Sequence, residues 1–319
     1  MQILKVVVLL LIGFLVLIKS SDIFVDAVSS IATNFKMSKM MIALTVAAFG
    51  TCAPELAISF NSISSGSGDI ALANVLGSNI VNILLVIGLA ACVCPIKVKN
   101  HAIKKELPIL LVVTSMFVLS VISHYIGGPD NFILSRQDGV LFLCFFLMFI
   151  LYIVSVVKSK QDIVKREKPK YNMFVSIVLT IVCCILITLA SDIVVDNAKE
   201  LALMLNVSTK LITMTVVVIG TSLPEMTMTV MASKKGEFDI ALGNIIGTNI
   251  FNIGIVLGLP LLIYGGFTTE SFNLIDILFV HIAAFALYFF SKNDKVLSKV
   301  EGAVMIILFI IYYTYIFVV

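Results

Sequence analysis

Gly50-Thr51-Cys52-Ala53-Pro54-Glu55 and, 170 residues later, Gly220-Thr221-Ser222-Leu223-Pro224-Glu225 set the same acid behind the same Gly-Thr and Pro, each inside a long apolar stretch. A carboxylate at membrane depth costs about 2.5–3.5 kcal/mol even on the lenient insertion scale, so an acid kept there is a candidate for function. Working outward, residues 41–90 align with 211–260 without a gap, and 21 of the 50 positions are identical. The identities include Thr45/Thr215, Asp69/Asp239, Asn74/Asn244, Gly77/Gly247, Asn79/Asn249 and Asn82/Asn252. Chance likeness between apolar helices would share Leu, Ile and Val, not Pro, Glu, Asp and three Asn in register. The chain therefore reads as a duplication whose two halves build one site.

Composition sets the class. Of 319 residues, 60% are hydrophobic and 13% charged, with a mean hydropathy of +1.12. That balance excludes a soluble globular domain and specifies an all-α integral membrane protein embedded in a lipid bilayer. The net charge is only +3 and the basic residues sit between apolar runs, so nucleic acid is not an expected partner. Cys52, Cys92, Cys94, Cys144, Cys183 and Cys184 all lie in apolar segments and read as small buried residues, with neither a disulfide framework nor a metal-ligand spacing.

Ten apolar segments can be drawn, at roughly 3–32, 40–64, 70–95, 106–124, 138–157, 172–198, 211–233, 239–264, 274–291 and 300–318. The first and sixth exceed the ~20 residues needed to cross and should tilt or protrude. The first could pass for a signal peptide, but its internal counterpart repeats Ser21-Asp22 and Asp26 as Ser191-Asp192 and Asp196, so both read as retained helices. Most of the 22 Lys and Arg fall in alternate loops. The positive-inside rule then places both termini outside a plasma or inner membrane, and the basic segment 158–171 in the cytoplasm. Lys19 lies three residues before Asp22, a spacing for a local ion pair.

Five spans per half is an odd number, so the second half enters from the opposite side. The expected architecture is ten transmembrane helices as two inverted five-helix repeats, residues 1–157 and 172–319, joined by 158–171. In such proteins the site lies at the midplane on interrupted helices. Pro54 and Pro224 have no N–H, so the carbonyls of Gly50 and Gly220 lose their helix partners. These carbonyls are expected to turn toward a polar interior, since unpaired backbone is tolerated at depth only there. Thr51 and Glu55 share a face, as do Thr221 and Glu225. On the following helices Asn74, Ser78 and Asn82, and likewise Asn244, Thr248 and Asn252, each form a stripe. Gly77 and Gly247 beside them allow close helix approach. Asp69 and Asp239 read as caps or first-turn acids, and Asn74, Asn79, Asn244 and Asn249 also as holders of a tight loop entry.

The inventory is two carboxylates with amide, hydroxyl and carbonyl oxygens and no Lys, Arg or His. An all-oxygen set with two negative charges suits a hard cation, Ca²⁺ or Na⁺. Two glutamates balance one Ca²⁺ or two Na⁺, which is a physical basis for mutually exclusive occupancy. His101, His124 and His281 share no motif, and Tyr312, Tyr313 and Tyr315 read as an interfacial belt.

At these residues the chain resembles the cation/calcium exchanger superfamily, specifically sodium/calcium exchangers and their prokaryotic relatives. The signatures are Gly-Thr-x-x-Pro-Glu, twice, with Gly-Asn-x-x-Gly-Ser/Thr-Asn-x-x-Asn at 243–252 and, with Ala73 for the first Gly, at 73–82. The resemblance implies a non-enzymatic antiporter exchanging Na⁺ for Ca²⁺ by alternating access, with these ions as cargo and no cofactor. Carried over by position, Glu55 and Glu225 are the shared acids, and Thr51 and Thr221 lend backbone carbonyls to Ca²⁺. Ala48, Val218, Cys52, Ser222, Ser78 and Thr248 line flanking Na⁺ sites, and Asn82 and Asn252 complete the centre. Two departures bear on this. Cys52 stands where the family commonly has Ser, and a thiol is a poor Na⁺ ligand. Asn252 stands where the K⁺-dependent branch has Asp, which implies K⁺ independence. Exchange of H⁺ for Ca²⁺ or another divalent ion, a K⁺-dependent exchanger, a passive cation channel and a Na⁺-coupled carrier of an organic solute are the competing readings. One chain encloses its own pseudo-symmetric site, so the monomer is the expected functional unit.

Overall fold

A computed structural model describes residues 2–127, 132–159, 168–205, 218–269 and 274–318. Among the described residues the chain is all-α apart from two short ladders. The helices are α1 (Gln2–Phe35), α2 (Lys39–Thr51), α3 (Ala53–Ser64), α4 (Gly68–Val93), α5 (Leu107–Gly127), α6 (Arg136–Ser159), α7 (Met173–Met204), α8 (Val218–Thr221), α9 (Leu223–Lys234), α10 (Phe238–Tyr264), α11 (Leu274–Asn293) and α12 (Lys299–Val318). Eight are long and apolar enough to cross a membrane, and α2 with α3, bent by 50°, makes a ninth. Of the expected segment 211–233, residues 211–217 lie outside the described residues and the rest forms α8 and α9. Residues 160–167 of the expected linker also lie outside them.

Apolar side chains divide between lipid and core as a membrane solvent requires. Leu11, Leu15, Leu147, Leu151, Ile181 and Ile185 face outward, while the polar Ser59, Ser78, Asn82, Thr229, Thr248 and Asn252 are buried. α1 and α7, with 34 and 32 residues, are the longest helices and pack along each other. Their shared core of Leu17, Phe24, Val28, Ile187 and Val194 continues into α2, α9 and α10 through Ala43, Ala47, Met228 and Ile240, and is distinct from the larger cluster around α4 and α10. The molecule is thus a two-helix blade against a multi-helix block. α4 and α10 are its most enclosed spans, with 78% and 83% of their apolar windows buried.

The ladders fasten loops crosswise. β1 (Ile96–Lys97) pairs antiparallel with β4 (Val296–Leu297), and β2 (Phe132–Leu134) with β3 (Phe267–Thr269). β1 precedes α5 and β2 follows it, so the two ladders are an α5 length apart, about 30 Å at the helical rise of 1.5 Å per residue. In each ladder one strand, β2 or β4, is followed by a capping box that starts a helix. Ser135 N–H donates to Asp138 at 2.8 Å, and Asp138 N–H donates to Ser135 Oγ at 3.3 Å. Ser298 and Glu301 repeat this at 2.7 and 3.3 Å.

Two expectations fail for one reason: sequence spacing shows local partners, and distant ones won. Asp22 pairs with Lys235 at 2.9 Å, not with Lys19. Asp239 lies in the first turn of α10 as expected, and its carboxylate also pairs with Lys99 at 2.6 Å. Tyr312 is buried, stacks on Phe279 at 4.4 Å and donates to Asp276 at 3.2 Å, so it is not an interfacial residue. His281 lies 3.4 Å from Ser115, and His101 3.2 Å from the buried Glu106. The His124 side chain lies outside the described residues.

Candidate functional site

Both apolar spans break at the doubled motif. Cys52 and Ser222 leave the helical region, at φ −80°, ψ 0° and φ −92°, ψ 7°. α3 and α9 then restart with Pro54 and Pro224 in their first turns, where a missing N–H is harmless. Glu55 and Glu225 also occupy those first turns, where the amide ends of the helices favour negative charge. Both glutamates are 0% exposed, and their carboxylates lie within electrostatic reach of each other.

The freed carbonyls do not turn to the centre. Gly50 O accepts from Cys184 Sγ at 2.9 Å, and Gly220 O accepts from Ser191 Oγ at 3.1 Å. Both donors belong to α7. The glycines are needed for approach rather than flexibility, because a Cβ would lie 2.8 Å from Cys184 Sγ at Gly50 and 2.3 Å from Val195 at Gly220. The blade therefore satisfies the backbone that proline left open.

α4 and α10 cross between the two breaks. Their contact is reciprocal: Asn79 Nδ2 donates to Asn249 O at 3.5 Å, and Asn249 Nδ2 to Asn79 O at 3.4 Å. Asn82 Nδ2 donates to Asn249 Oδ1 at 3.3 Å, and Asn252 Nδ2 to Asn79 Oδ1 at 3.1 Å. The donor ends of Asn82 and Asn252 are thereby occupied, while their Oδ1 atoms are buried without a hydrogen-bond partner. Both carboxylates, Ser78 Oγ, Ser222 Oγ and Thr248 Oγ1 share that state. Buried polar atoms are almost always paired, so oxygens left open on both crossing helices and both breaks mark a place where something else binds. π-helical turns, common at functional sites, span Val81–Ile87 and Asn252–Leu257 and set the amides of Asn82 and Asn252 at matched positions.

The other predicted positions fall nearby with varied roles. Ala48 is buried against Gly247, where a Cβ would come within 2.8 Å of Ala48 Cβ and 2.7 Å of Leu44 O, so the expected close approach at Gly247 is present. Thr51 is buried, donates weakly to Ala47 O and Ala48 O at 3.4 and 3.3 Å, and is also a near neighbour of Glu225. Cys52 is fully buried with Sγ 4.0 Å from Thr248 O, so its thiol packs on α10. Thr221 ends α8 at the second break. Val218 begins α8, and its side chain lies outside the described residues. Asn74 donates to Glu55 O and Asn244 to Thr229 Oγ1, each at 3.4 Å, which steadies α3 and α9 against the crossing helices. Sequence reasoning missed Asn79 and Asn249 as orienting residues. Their signal was present, since both recur in register three residues before Asn82 and Asn252, but each holds the amide of the opposite half.

One approach to the centre is covered and the other is open. α1 lies along α9, whereas α7 makes no contact of comparable extent with α3 among the described residues. On the Gly50 face of α3, Ala53, Ala57 and Asn61 are exposed; the counterparts Leu223, Thr227 and Met231 are partly covered. No group of three or more His, Cys, Asp or Glu able to hold a metal occurs among the described residues. The chemistry here is two acids supplemented by neutral oxygens, which fits a cation that enters and leaves.

The model of the family described as sodium/calcium exchanger protein matches residues 5–155 and 175–318. The inner membrane protein YrbG of Escherichia coli is 39% identical over 267 residues, covering 81% of this chain and 80% of that protein. The sodium/calcium exchanger MaX1 of Methanosarcina acetivorans is 28% identical over 97% of both chains. The solved structure of the sodium-calcium exchanger NCX_Mj superposes with a TM-score of 0.80 at 32% identity, over 97% of this chain and 98% of that one. Matched along nearly its whole length, this multi-pass membrane protein belongs to the sodium/calcium exchanger protein family, within the cation/calcium exchanger superfamily of antiporters.

Proposed function

We propose that the chain is a secondary active antiporter that exchanges Na⁺ for Ca²⁺ by alternating access. The observation that carries this reading is the pair of buried carboxylates, Glu55 and Glu225, faced by unpartnered hydroxyl and amide oxygens from both halves. Two negative charges match one Ca²⁺ or two Na⁺, and hard oxygen donors suit both ions. In this reading Glu55 and Glu225 serve either cargo. Thr51 and Thr221 present backbone carbonyls where the helices break, and Asn82 and Asn252 turn Oδ1 inward. Ala48, Val218, Ser222, Ser78 and Thr248 border flanking Na⁺ positions, with Cys52 filling space through a thiol that offers no hard donor.

The same reading makes the chain ten spans in two inverted repeats, 1–157 and 172–319, with both termini outside and 158–171 in the cytoplasm. The reciprocal Asn79–Asn249 pair supports it, because a contact in which each residue does to the other what it receives is the mark of a two-fold relation. So do the two ladders at opposite ends of α5. The blade of α1 and α7 is the moving part, since it covers one approach only. In this state the approach beside α3 is open, which the loop charges assign to the outside.

The test is ⁴⁵Ca²⁺ uptake into proteoliposomes driven by an outward Na⁺ gradient. Uptake should require Na⁺, ignore K⁺ and disappear in Glu55→Gln and in Glu225→Gln. Uptake that follows an imposed pH gradient and ignores Na⁺ would replace Na⁺ by H⁺ as the counter-ion. Full uptake in either variant would remove the glutamates from the site.

A further inference from the structure

Residues 170 apart are counterparts through the broken helices and also through α1 and α7, where Ser21, Asp22 and Asp26 match Ser191, Asp192 and Asp196. Each contact on the covered approach can therefore be asked of its counterpart on the open one. On the covered side Lys235 Nζ meets Asp22 Oδ1 at 2.9 Å, Asp22 O at 2.6 Å and Asp26 Oδ1 at 2.6 Å, which uses all three of its protons. Glu237 accepts from Ser29 of α1 at 3.3 Å and pairs with Lys39 of α2 at 2.7 Å. Ser21 donates to Thr227 at 2.9 Å. Together these tie α1 to α9 and to the turn that follows it.

The mirrored positions cannot form the same ion pairs. Lys235 corresponds to Ser65, Glu237 to Ser67, Lys39 to Thr209 and Thr227 to Ala57. Cys184, whose thiol caps Gly50 O, corresponds to Phe14, which has no donor. The turns themselves match, with Gly66 at φ +79° and Gly236 at φ +73°, so the difference is in side chains and not in backbone. On the open side Asp196 is 74% exposed and, among the described residues, pairs only with its own helix neighbour, Lys199, at 3.5 Å.

We infer that Lys235 and Glu237 are positioning residues that decide which face of the carrier stands open at rest. Clamped to Asp22, Asp26 and Ser29, they hold α1 over α9 and make the state open beside α3 the major one. The state open beside α9 must release these contacts and gains no ion pair at Ser65 or Ser67 in return. This rests on the alternating-access reading. Its consequence is sided: cargo arriving on the α9 side meets a small competent fraction, and its apparent affinity there falls by that fraction.

The chain contains no tryptophan, so one introduced indole reports alone. Asn61→Trp on α3 should be freely quenched by acrylamide in proteoliposomes, and Met231→Trp on α9 should be shielded. Adding K235A/E237A should shift the ratio of the two states tenfold or more, lowering quenching at position 61 and raising it at 231. Installing the clamp on the other face with S65K/S67E, beside Asp192 and Asp196, should move both reporters the same way. K235R should leave both unchanged. Opposite movement of the two reporters separates a switch from simple loosening, which would expose both. Na⁺-driven Ca²⁺ uptake is measured on the same vesicles. Opposite shifts without uptake support the clamp and remove the proposed cargo. Uptake without opposite shifts in either double variant overturns the clamp.

Discussion

Asn249 touches no open approach, yet it should control the affinity of the centre through Asn82. Its Oδ1 accepts from Asn82 Nδ2 at 3.3 Å, and its own amide donates to Asn79 O at 3.4 Å. Asn249→Ala removes both bonds and leaves the fully buried Asn82 amide without its acceptor. Polar pairs between membrane helices average ~0.6 kcal/mol of coupling and reach about 1.7 kcal/mol. At about 1.4 kcal/mol per tenfold, that coupling is worth about threefold to twentyfold in an equilibrium constant. The loss should fall on cargo binding, because an untethered amide can turn its NH₂ toward the carboxylates and oppose a cation. The assay is calorimetric titration of Ca²⁺ into detergent-solubilised protein, run as a double-mutant cycle with Asn82→Ala. Asn249→Ala should weaken Ca²⁺ by about tenfold, and the effect should largely vanish when Asn82 is already alanine. Equal losses on both backgrounds would refute the claim that Asn249 works by aiming Asn82.

Four further outcomes follow from the same geometry. Gly247→Ala drives a methyl to within 2.9 Å of the α2 backbone, so overpacking should cost roughly 1–3 kcal/mol and lower the melting temperature. Cys184→Ala leaves Gly50 O without a donor and should destabilise by about 1–3 kcal/mol in denaturation, whereas Cys184→Ser should recover most of that. Tyr152→Phe removes the phenol that donates to the buried Glu106 at 2.5 Å. It should cost about 1.5–3 kcal/mol of stability without changing Ca²⁺ half-saturation, since Glu106 is remote from both breaks. Cys52→Ser restores a hydroxyl beside Thr248 and should increase Na⁺ competition in Ca²⁺ titrations, if the flanking position in the first half binds Na⁺.

The sequence displayed the broken helices plainly because proline, glycine and a buried acid have few other reasons to recur together. It displayed the two long helices as well, through run length alone. What it hid was relational. Pro54 and Pro224 announced that Gly50 and Gly220 would lose a hydrogen bond, but not that Cys184 and Ser191 on a distant helix would replace it. Lys19 was the nearest cation to Asp22 along the chain, yet Lys235 is the nearest in space. The π-helical turns beginning at Val81 and Asn252 have no compositional signature, because one extra residue per turn changes hydrogen-bond registration and not residue preference. The amides at 79 and 249 are visible as identities but read as turn residues, since periodicity places a side chain on a face without saying what crosses it.

The crosswise ladders carry a consequence for how such a chain can be divided. Each ladder takes one strand from residues 1–157 and one from 172–319, as do the Asn79–Asn249 crossing and the α1–α7 blade. The most extensive seams, α1 with α7, α6 with α10 and α4 with α12, therefore run between the halves. The unit that was copied is then smaller than the unit that folds. A chain severed between Ser159 and Lys168 should stay together in detergent as a complementing pair, while either piece made alone should be degraded.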